Sequence, residues 1–324
     1  MFKNISSRTL TIVFVVLLAL AAFYIYYDSS HEERSFKKNI VDIDTAKVTA
    51  ISIYPKANNH KEVRLFKEGK EWQVQLDNNK SVPAQQSKVK NLLNQLAGIK
   101  STGVVAQNEN KWHEFQVDTV GTRVKVFEGN DNTLDITFGK FNYEQQTRSM
   151  STAVRINDDD NVYNVNGFLE FSFNQKPNAF RDNYIVNDDM SHWNKLTFTY
   201  PDSSFQLVKD TSNHWTINGI RTDSATTVSF LRSLSHITGS NFIDNPDQSL
   251  LNKSNYTLTI QSTGFGAIDV SGFGTPSTET KNPPQFIIHS SQNDESYFNG
   301  NSGKLWTRVF VSKKHFFPSK KKKK

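Results

Sequence analysis

The stretch ISIYPKANNHKEVRLFKEGKEWQV, residues 51–74, has a close counterpart in LTFTYPDSSFQLVKDTSNHWTI, residues 196–217. Both alternate apolar with polar residues, a pattern typical of strands that bury one face. Each ends its first strand with Tyr-Pro, where a proline removes no ladder hydrogen bond, and carries a tryptophan in its third strand. The pair predicts an internal repeat built on antiparallel β-sheet.

A helix is predicted after the strands of each copy. Apolar residues recur at helical spacing at Val89, Leu92, Leu93, Leu96 and Ile99, and again at Val228, Phe230, Leu231, Leu234 and Ile237. Thr222-Asp223 fits an N-terminal cap of the second helix. Turn-rich sequences at 129–132, 158–161 and 264–266 then predict hairpins. Each copy therefore reads as three strands, a helix, about four further strands and a short closing helix such as 168–173.

The predicted fold class is α+β, with a single N-terminal transmembrane helix followed by two tandem repeats of antiparallel sheet plus helix. The predicted domains are a cytoplasmic tip and transmembrane signal anchor at 1–28, a spacer at 29–44, a first α+β repeat at 45–188, a second at 189–318, and a poly-lysine tail at 319–324.

The anchor prediction depends on Leu10–Tyr27, which carries no charge and is long enough to cross a bilayer as a helix. Lys3 and Arg8 precede it, and positive charge is retained on the cytoplasmic side. We therefore expect a single-pass protein of the bacterial inner membrane, with its N-terminus cytoplasmic and the bulk of the chain periplasmic or extracytoplasmic. Cleavage as a signal peptide after Ala21 stays open.

Composition excludes several classes of function. The chain has 324 residues and no cysteine, which excludes disulfides, thiolate metal sites and a cysteine nucleophile. The net charge is +6, and Lys320–Lys324 supply five of these positive charges. The remainder is close to neutral, so no nucleic-acid partner is expected. The lysine run is typical of a solvated tail, with contact to anionic lipid or cell-wall polymer as the alternative.

The motifs that could carry chemistry are incomplete. His31-Glu32 and His113-Glu114 begin like zinc-protease helices, yet the second histidine is missing from both. Asp158–Asn161 is the best cation candidate, and a hairpin turn explains it as well. Gly264-Phe265-Gly266 does not continue as a dinucleotide fingerprint, and there is no nucleophile elbow. The sequence therefore predicts a protein that is not an enzyme, with no catalytic, cofactor-binding or metal residues and no cofactor. A triad assembled in space stays open.

Aromatic residues cluster between the two copies. They are Phe168, Phe171, Phe173 and Phe180, followed by Arg181 and Asp182. Core filling by a closing helix is one interpretation, and an interface for a partner or a glycan is the other.

Several segments resemble a known family. They are Lys70–Val74, Leu92–Leu96, Asp118–Val126, Val162–Val165 and Ala179–Asp182. In their order they are similar to the domain-of-unknown-function 4340 family, membrane-anchored bacterial envelope proteins associated with gliding-motility-type ABC transporters. The resemblance covers residues 51–244. It implies an extracytoplasmic accessory role beside a transporter, and it supplies no catalytic residues.

We therefore expect a membrane-tethered extracytoplasmic accessory or scaffold protein, non-catalytic and associated with an ABC-type envelope transport or gliding-motility-like complex. The expected partners are a membrane protein complex, such as an ABC transporter, and the membrane itself through Leu10–Tyr27. The alternatives are a cell-envelope polysaccharide-binding module and a hydrolase with a spatially assembled site. The oligomeric state stays open.

Overall fold

The computed structural model of the protein describes residues 13–22, 38–77, 80–251, 254–274 and 285–317. The helices are α1 (residues 13–22), α2 (Gln86–Ala97), α3 (Glu170–Phe173), α4 (Ser224–Ser235), α5 (Gln248–Leu251) and α6 (Leu305–Val309). The first nine strands are β1 (Val48–Tyr54), β2 (Val63–Glu68), β3 (Glu71–Gln75), β4 (Ser81–Pro83), β5 (Ser101–Ala106), β6 (Thr122–Glu128), β7 (Asp131–Glu144), β8 (Ser149–Ile156) and β9 (Val162–Asn166). The others are β10 (Tyr184–Asn187), β11 (Trp193–Tyr200), β12 (Ser203–Lys209), β13 (Trp215–Ile217), β14 (Ile220–Arg221), β15 (His236–Thr238), β16 (Ser254–Ser262), β17 (Gly266–Gly274), β18 (Phe286–Ser290) and β19 (Asn293–Asn299).

The structure is mostly β-sheet, since 44% of the described residues are in strands and 24% in helices. The predicted class, α+β with an N-terminal transmembrane helix and two repeats of sheet plus helix, is therefore wrong. The physical reason is that the helices are short: within the described residues α2 and α4 have 12 residues each, while α3, α5 and α6 have four or five. Strand β15 begins within the segment in which we predicted the second helix, and β10 and β14 occupy segments for which we predicted no element.

The predicted membrane span is also wrong. Within the described ranges, no helix combines the length and the apolar character that crossing a membrane requires. A span takes about 20 residues, and ten of the described residues belong to α1. This finding overturns the transmembrane signal anchor and the single-pass inner-membrane localisation. Residues 10–12 and 23–27 of the predicted span, 29–37 of the spacer, and the lysine tail lie outside the described residues.

The chain divides into two compact units, each made of two segments. Unit 1 contains residues 1–62 and 92–175, and unit 2 contains residues 63–91 and 176–324. The division falls within α2, whose first half belongs to unit 2. The domain boundary that we predicted at 188/189 stays a prediction.

Unit 1 is an antiparallel sheet with the pairing order β1-β6-β7-β8-β9-β5. Its strands alternate as the sequence pattern requires, so that every second side chain enters the core. The fully buried positions include Ile51, Ile53, Val124, Val126, Ile136, Phe138 and Val154. The polar residues between them lie on the opposite face of the sheet.

Unit 2 contains the meander β2-β3-β4, the pair β10-β15, and a sheet with the order β14-β13-β12-β11-β16-β17-β18-β19. Its core is rich in aromatic residues, and Phe198 stacks on Phe205 with ring centroids 4.5 Å apart. Helix α4 packs into this core through Phe230, Leu231 and Leu234. These contacts explain the apolar spacing along α4.

The two sets of strands follow the same order along the chain. Strands β1 to β4, helix α2 and strands β5 to β9 correspond to strands β11 to β14, helix α4 and strands β15 to β19. The meander β2-β3-β4 matches β12-β13-β14, and the pairing β1-β6-β7-β8-β9 matches β11-β16-β17-β18-β19. One difference is that β5 pairs with β9, whereas β15 pairs with β10.

Individual elements agree with the sequence pattern. The helices expected around 89–99 and 228–237 are α2 and α4, and the turn predicted at 129–132 lies at residues 129–130, between β6 and β7. The predicted cap of α4 is confirmed, since the Asp223 carboxylate accepts a hydrogen bond from the Thr226 amide at 2.8 Å. This bond satisfies one of the N–H groups that the first turn leaves without a helical acceptor.

Candidate functional site

The four clustered phenylalanines divide into two buried and two exposed residues. Phe173 and Phe180 are fully buried, and Phe173 stacks on Phe138 with centroids 4.8 Å apart. Phe168 and Phe171 are 45% and 64% exposed. Core filling therefore describes the first two, and only the second two are accessible to a partner.

The exposed pair belongs to a larger group on unit 1, which we name the aromatic face. Its members are Phe141, Tyr143, Met150, Phe168 and Phe171. Phe141 and Tyr143 are two residues apart on β7, and Met150 of β8 lies directly opposite Tyr143, so the three side chains share one face. The Phe168 ring lies 4.5 Å from that of Phe141 and 5.7 Å from that of Phe171, measured between centroids. Tyr143 and Met150 are each 49% exposed.

The backbone holds Phe168 beside the β7–β8 hairpin. Gly167 donates its amide to the Met150 carbonyl at 2.8 Å, and its own carbonyl accepts the Thr152 hydroxyl at 2.7 Å. The Leu169 amide then donates to that hydroxyl at 3.3 Å. Gly167 has a φ of +100°, a conformation that suits glycine because it has no Cβ. The exposure of Phe168 is therefore fixed by main-chain hydrogen bonds.

Helix α3, which carries Phe171, is fixed at both ends. The Glu170 carboxylate pairs with the Lys56 ammonium at 2.9 Å, and the Asn174 side chain accepts the Ala57 amide at 2.7 Å. The buried ring of Phe173 holds the opposite side of the helix in the core. The Phe171 ring consequently points outward from a rigid turn, and an exposed apolar group of this kind is typical of a protein-binding surface.

The acidic run Asp158–Asn161 is a hairpin turn between β8 and β9, as the sequence predicted. Asp159 accepts hydrogen bonds from the amide and the side chain of Asn161, both at 2.8 Å, and also from the hydroxyl of Tyr163. Burial and the hydrogen bond to Asp159 raise the pKa of Tyr163 to about 12. The carboxylate at the centre of the run is therefore committed to the turn itself.

His113 and Glu114 each bind a different partner. His113 pairs with Asp118 at 2.8 Å, and Glu114 pairs with Lys111 at 2.8 Å. Among the residues that the structure describes, no group of three or more histidine, aspartate or glutamate side chains could hold a metal ion. His31-Glu32 lies outside those residues.

The Gly264-Phe265-Gly266 stretch joins β16 to β17. Gly266 has a φ of +76°, as a tight turn requires. The Phe265 ring is 64% exposed, the same fraction as Phe171, although it lies in unit 2. It supplies a matched control for the aromatic face.

The sequence interpretation missed a row of polar side chains on unit 1. Tyr54, Arg123, Thr137 and Arg155 lie opposite one another on β1, β6, β7 and β8, on the face away from the core. Trp112 covers Arg155, with the guanidinium 3.9 Å from the ring centroid. An arginine within the apolar segment Ala153–Ile156 was the signal that could have identified it, because arginine is rarely buried without a partner.

Residues 72–258 match the family model described as Domain of unknown function (DUF4340). No curated protein and no solved structure matches the chain. The match covers more than half of the 324 residues and confirms the domain family that the resemblance indicated, whereas the transporter association stays a prediction. The chain belongs to the DUF4340 family.

Proposed function

We propose that the protein is a non-catalytic accessory or scaffold protein that binds a partner protein through the aromatic face of unit 1. The observation that supports this proposal is the outward position of Phe168 and Phe171, which main-chain hydrogen bonds and an ion pair keep exposed. Aromatic residues and methionine are enriched in the buried centres of protein interfaces. Ordered aromatic side chains also lose little entropy on binding.

The partner class in this proposal is an ABC-type transport or gliding-motility-like complex. Membership of the DUF4340 family and the resemblance to its transporter-associated members support this choice. An accessory protein needs only to bind its partner. This role is therefore compatible with the incomplete zinc-protease and dinucleotide motifs of the sequence.

Site-specific crosslinking in cells tests the proposal. A photoreactive phenylalanine analogue replaces Phe171 in one version of the protein and Phe265 in the other, because both rings are 64% exposed. We expect a crosslink to a subunit of an ABC transporter from position 171 and none from position 265. Mass spectrometry of the crosslinked product identifies the partner.

Substitution provides a second measurement. Phe171→Ser should lower co-purification of the partner at least about tenfold, as is usual when an interface anchor is truncated, while Phe265→Ser leaves it unchanged. The free energy of unfolding should stay within about 0.5 kcal/mol for both variants, because both side chains are at the surface. Equal crosslinking from both positions, or retention of the Phe171→Ser variant by the partner, would contradict the proposal.

A further inference from the structure

Unit 1 contains a cavity of about 510 Å³ above the polar face of its sheet. Its walls include Tyr54, His60, Trp112, Arg123, Lys125 and Arg155. The volume falls in the range of small-molecule sites, which combine apolar walls with a few polar groups. The cavity is separate from the aromatic face, so a ligand bound in it would add a function beyond the proposed binding of a partner protein.

Arg155 is the unusual residue of this cavity. It is 8% exposed, and it occupies a strand position between Val154, which is fully buried, and Ile156. Its Nε donates to the Val117 carbonyl at 3.1 Å, and its Nη1 donates to the Asn157 carbonyl at 3.3 Å. The Trp112 ring covers one side of the guanidinium.

No carboxylate within the described part of the chain lies within ion-pair distance of Arg155. Arg123, on the same face, shows the usual arrangement instead. Its Nε and Nη2 bind both oxygens of Asp135, at 2.8 and 2.5 Å. Arg155 has only neutral carbonyls and a ring, and its Nη2 makes no hydrogen bond with the described residues. A guanidinium has five N–H donors, and Nε and Nη1 of Arg155 already donate to carbonyls. The donors of Nη2 are therefore available to bind a carboxylate.

The surroundings make the positive charge of Arg155 costly. Burial lowers the pKa of the Arg155 guanidinium below its usual range, and the neighbouring positive charge of Arg123 lowers it further. The carboxylates of Asp135, Asp160 and Glu109 oppose this shift only in part. The group nevertheless stays charged, because an arginine does not lose its proton in proteins. An anion placed against Nη2 would offset both effects.

The charges around the cavity set the charge of that anion. Asp135 is already paired with Arg123 and lies 3.8 Å from Lys125, so these three side chains together keep one positive charge. Glu109 and Asp118 also line the cavity and would repel a second negative charge. A single negative charge therefore fits better than the double charge of a phosphate.

The walls also indicate the shape of the ligand. Tyr54 and Trp112 line the same cavity as Arg155, so a ligand bound by its charged group at Arg155 has aromatic surface beside the rest of its body. Flat ring systems pack well against such surfaces. A ligand that fits these walls is a carboxylate attached to a six-membered ring, either an aryl acid or a uronic acid.

We infer that unit 1 binds a monocarboxylate carried on a six-membered ring, with Arg155 holding the carboxylate and Trp112 and Tyr54 contacting the ring. Arg155 is the residue that recognises the charge, and the carbonyls of Val117 and Asn157 hold its guanidinium in place.

Titration of the full chain, with its arginines and tryptophans labelled with ¹⁵N, tests the inference without any substitution. Benzoate represents the aryl acids and galacturonate the uronic acids. At least one of them should shift the Nε–H signal of Arg155 and the Nε1–H signal of Trp112 in a saturable way. Benzamide and galactose, the neutral counterparts, should bind at least about tenfold more weakly. The acid that binds shows whether the carboxylate belongs to an aryl acid or to a uronic acid.

Substitutions complete the test. Arg155→Gln should weaken binding of the acid by at least about tenfold, whereas Arg221→Gln, on an exposed strand of unit 2, should not change it. If Arg155→Gln does not fold, Tyr54→Leu removes part of the ring contact and should weaken binding while the Arg155 signal still shifts. Equal binding of acid and neutral counterpart, shifts with inorganic phosphate alone, or no saturable shift with either acid would overturn the inference. None of these results would alter the crosslinking expected from position 171.

Discussion

Asp188 is a buried carboxylate that organises the start of β11. It accepts hydrogen bonds from the His192 ring at 2.9 Å and from the Trp193 indole at 2.7 Å, and its side chain is 1% exposed. Burial alone would raise the pKa of Asp188, but hydrogen bonds from Ser262, His192 and Trp193 outweigh it and place the pKa below its usual value. The ionised form therefore stabilises the folded protein.

The substitution Asp188→Asn should lower the free energy of unfolding by about 1–3 kcal/mol at pH 7, the usual cost of losing hydrogen bonds to a buried charge. The pKa is depressed on folding, so the stabilisation is present above the unfolded value of 3.8 and is lost as the pH falls through the folded pKa. The difference between the two proteins should therefore shrink below about pH 4. Urea unfolding at pH 7, 5 and 3 measures it.

Asp202→Asn is the matched control, because Asp202 is exposed in the turn between β11 and β12. Its unfolding free energy should follow that of the unsubstituted protein at all three pH values. If Asp188→Asn were as stable at pH 7 as the unsubstituted protein, the ionised carboxylate would not stabilise the fold.

At the scale of elements, β7 depends on one glycine. The strand register shifts between Phe138 and Phe141, and Gly139 lies at that point. A Cβ at Gly139 would lie 2.2 Å from the Phe115 carbonyl oxygen, which also accepts the Lys140 amide at 2.8 Å. The chain segment around Phe115 can therefore approach β7 only where the strand has no side chain.

Gly139→Ala should destabilise unit 1 by about 1–3 kcal/mol, because a backbone atom cannot move aside as a side chain could. Gly103→Ala is the control, since Gly103 also lies in a strand of unit 1 and its Cβ would meet nothing within 4 Å. We expect that variant to stay within about 0.5 kcal/mol of the parent. Thermal unfolding compares them, and equal midpoints would contradict the close packing at Gly139.

Elements with strong patterns were predictable, and short ones were not. The alternation of Val124 and Val126 in β6 and the spacing of Leu92 and Leu96 in α2 reflect local burial, which sequence periodicity records. Strand β15 has three residues and pairs with β10, about 50 residues away. Three residues are too few to show a periodic pattern, and the pairing with a distant strand decides their conformation.

The polar row was missed for a similar reason. Arg123, Thr137 and Arg155 become neighbours only when β6, β7 and β8 pair in the observed register. Nothing in the local sequence fixes that register. The exposed phenylalanines of the aromatic face were recognised as candidates, whereas Tyr143 and Met150 join them only through the β7–β8 hairpin.

At the scale of the whole molecule, unit 2 combines two segments that are distant in sequence. Residues of Ala179–Asp182, one of the segments that resemble the family, bond the second segment of unit 2 to the first. The Ala179 carbonyl accepts a hydrogen bond from the Lys88 ammonium at 2.6 Å, and the Phe180 carbonyl accepts one from the Gln85 amide at 2.8 Å. Arg181 is buried and binds the Asp244 carboxylate at 2.5 Å. Local periodicity does not reveal such connections, so the sequence favoured two consecutive domains.

A pair of fragments tests where the second segment of unit 2 begins. The fragment 176–317 keeps β10, whereas the fragment 189–317 lacks it. The shorter fragment therefore loses the strand that pairs with β15, and it loses the Ile185 carbonyl that accepts the Ser290 hydroxyl. We expect 176–317 to unfold at a clearly higher temperature than 189–317, measured by circular dichroism. Equal midpoints would favour the boundary at 188/189 that the sequence predicted.

The family match has limits that do not coincide with any sheet. It begins at Trp72, inside β3, and ends at Leu258, inside β16. A recombinant fragment cut to these limits would lack β1, β2 and β17 to β19. Strands β3 and β6 would each lose a neighbour, and β16 would be shortened and lose β17. Unpaired strand edges recruit other chains, so the limits that define the family in sequence would give a protein that aggregates.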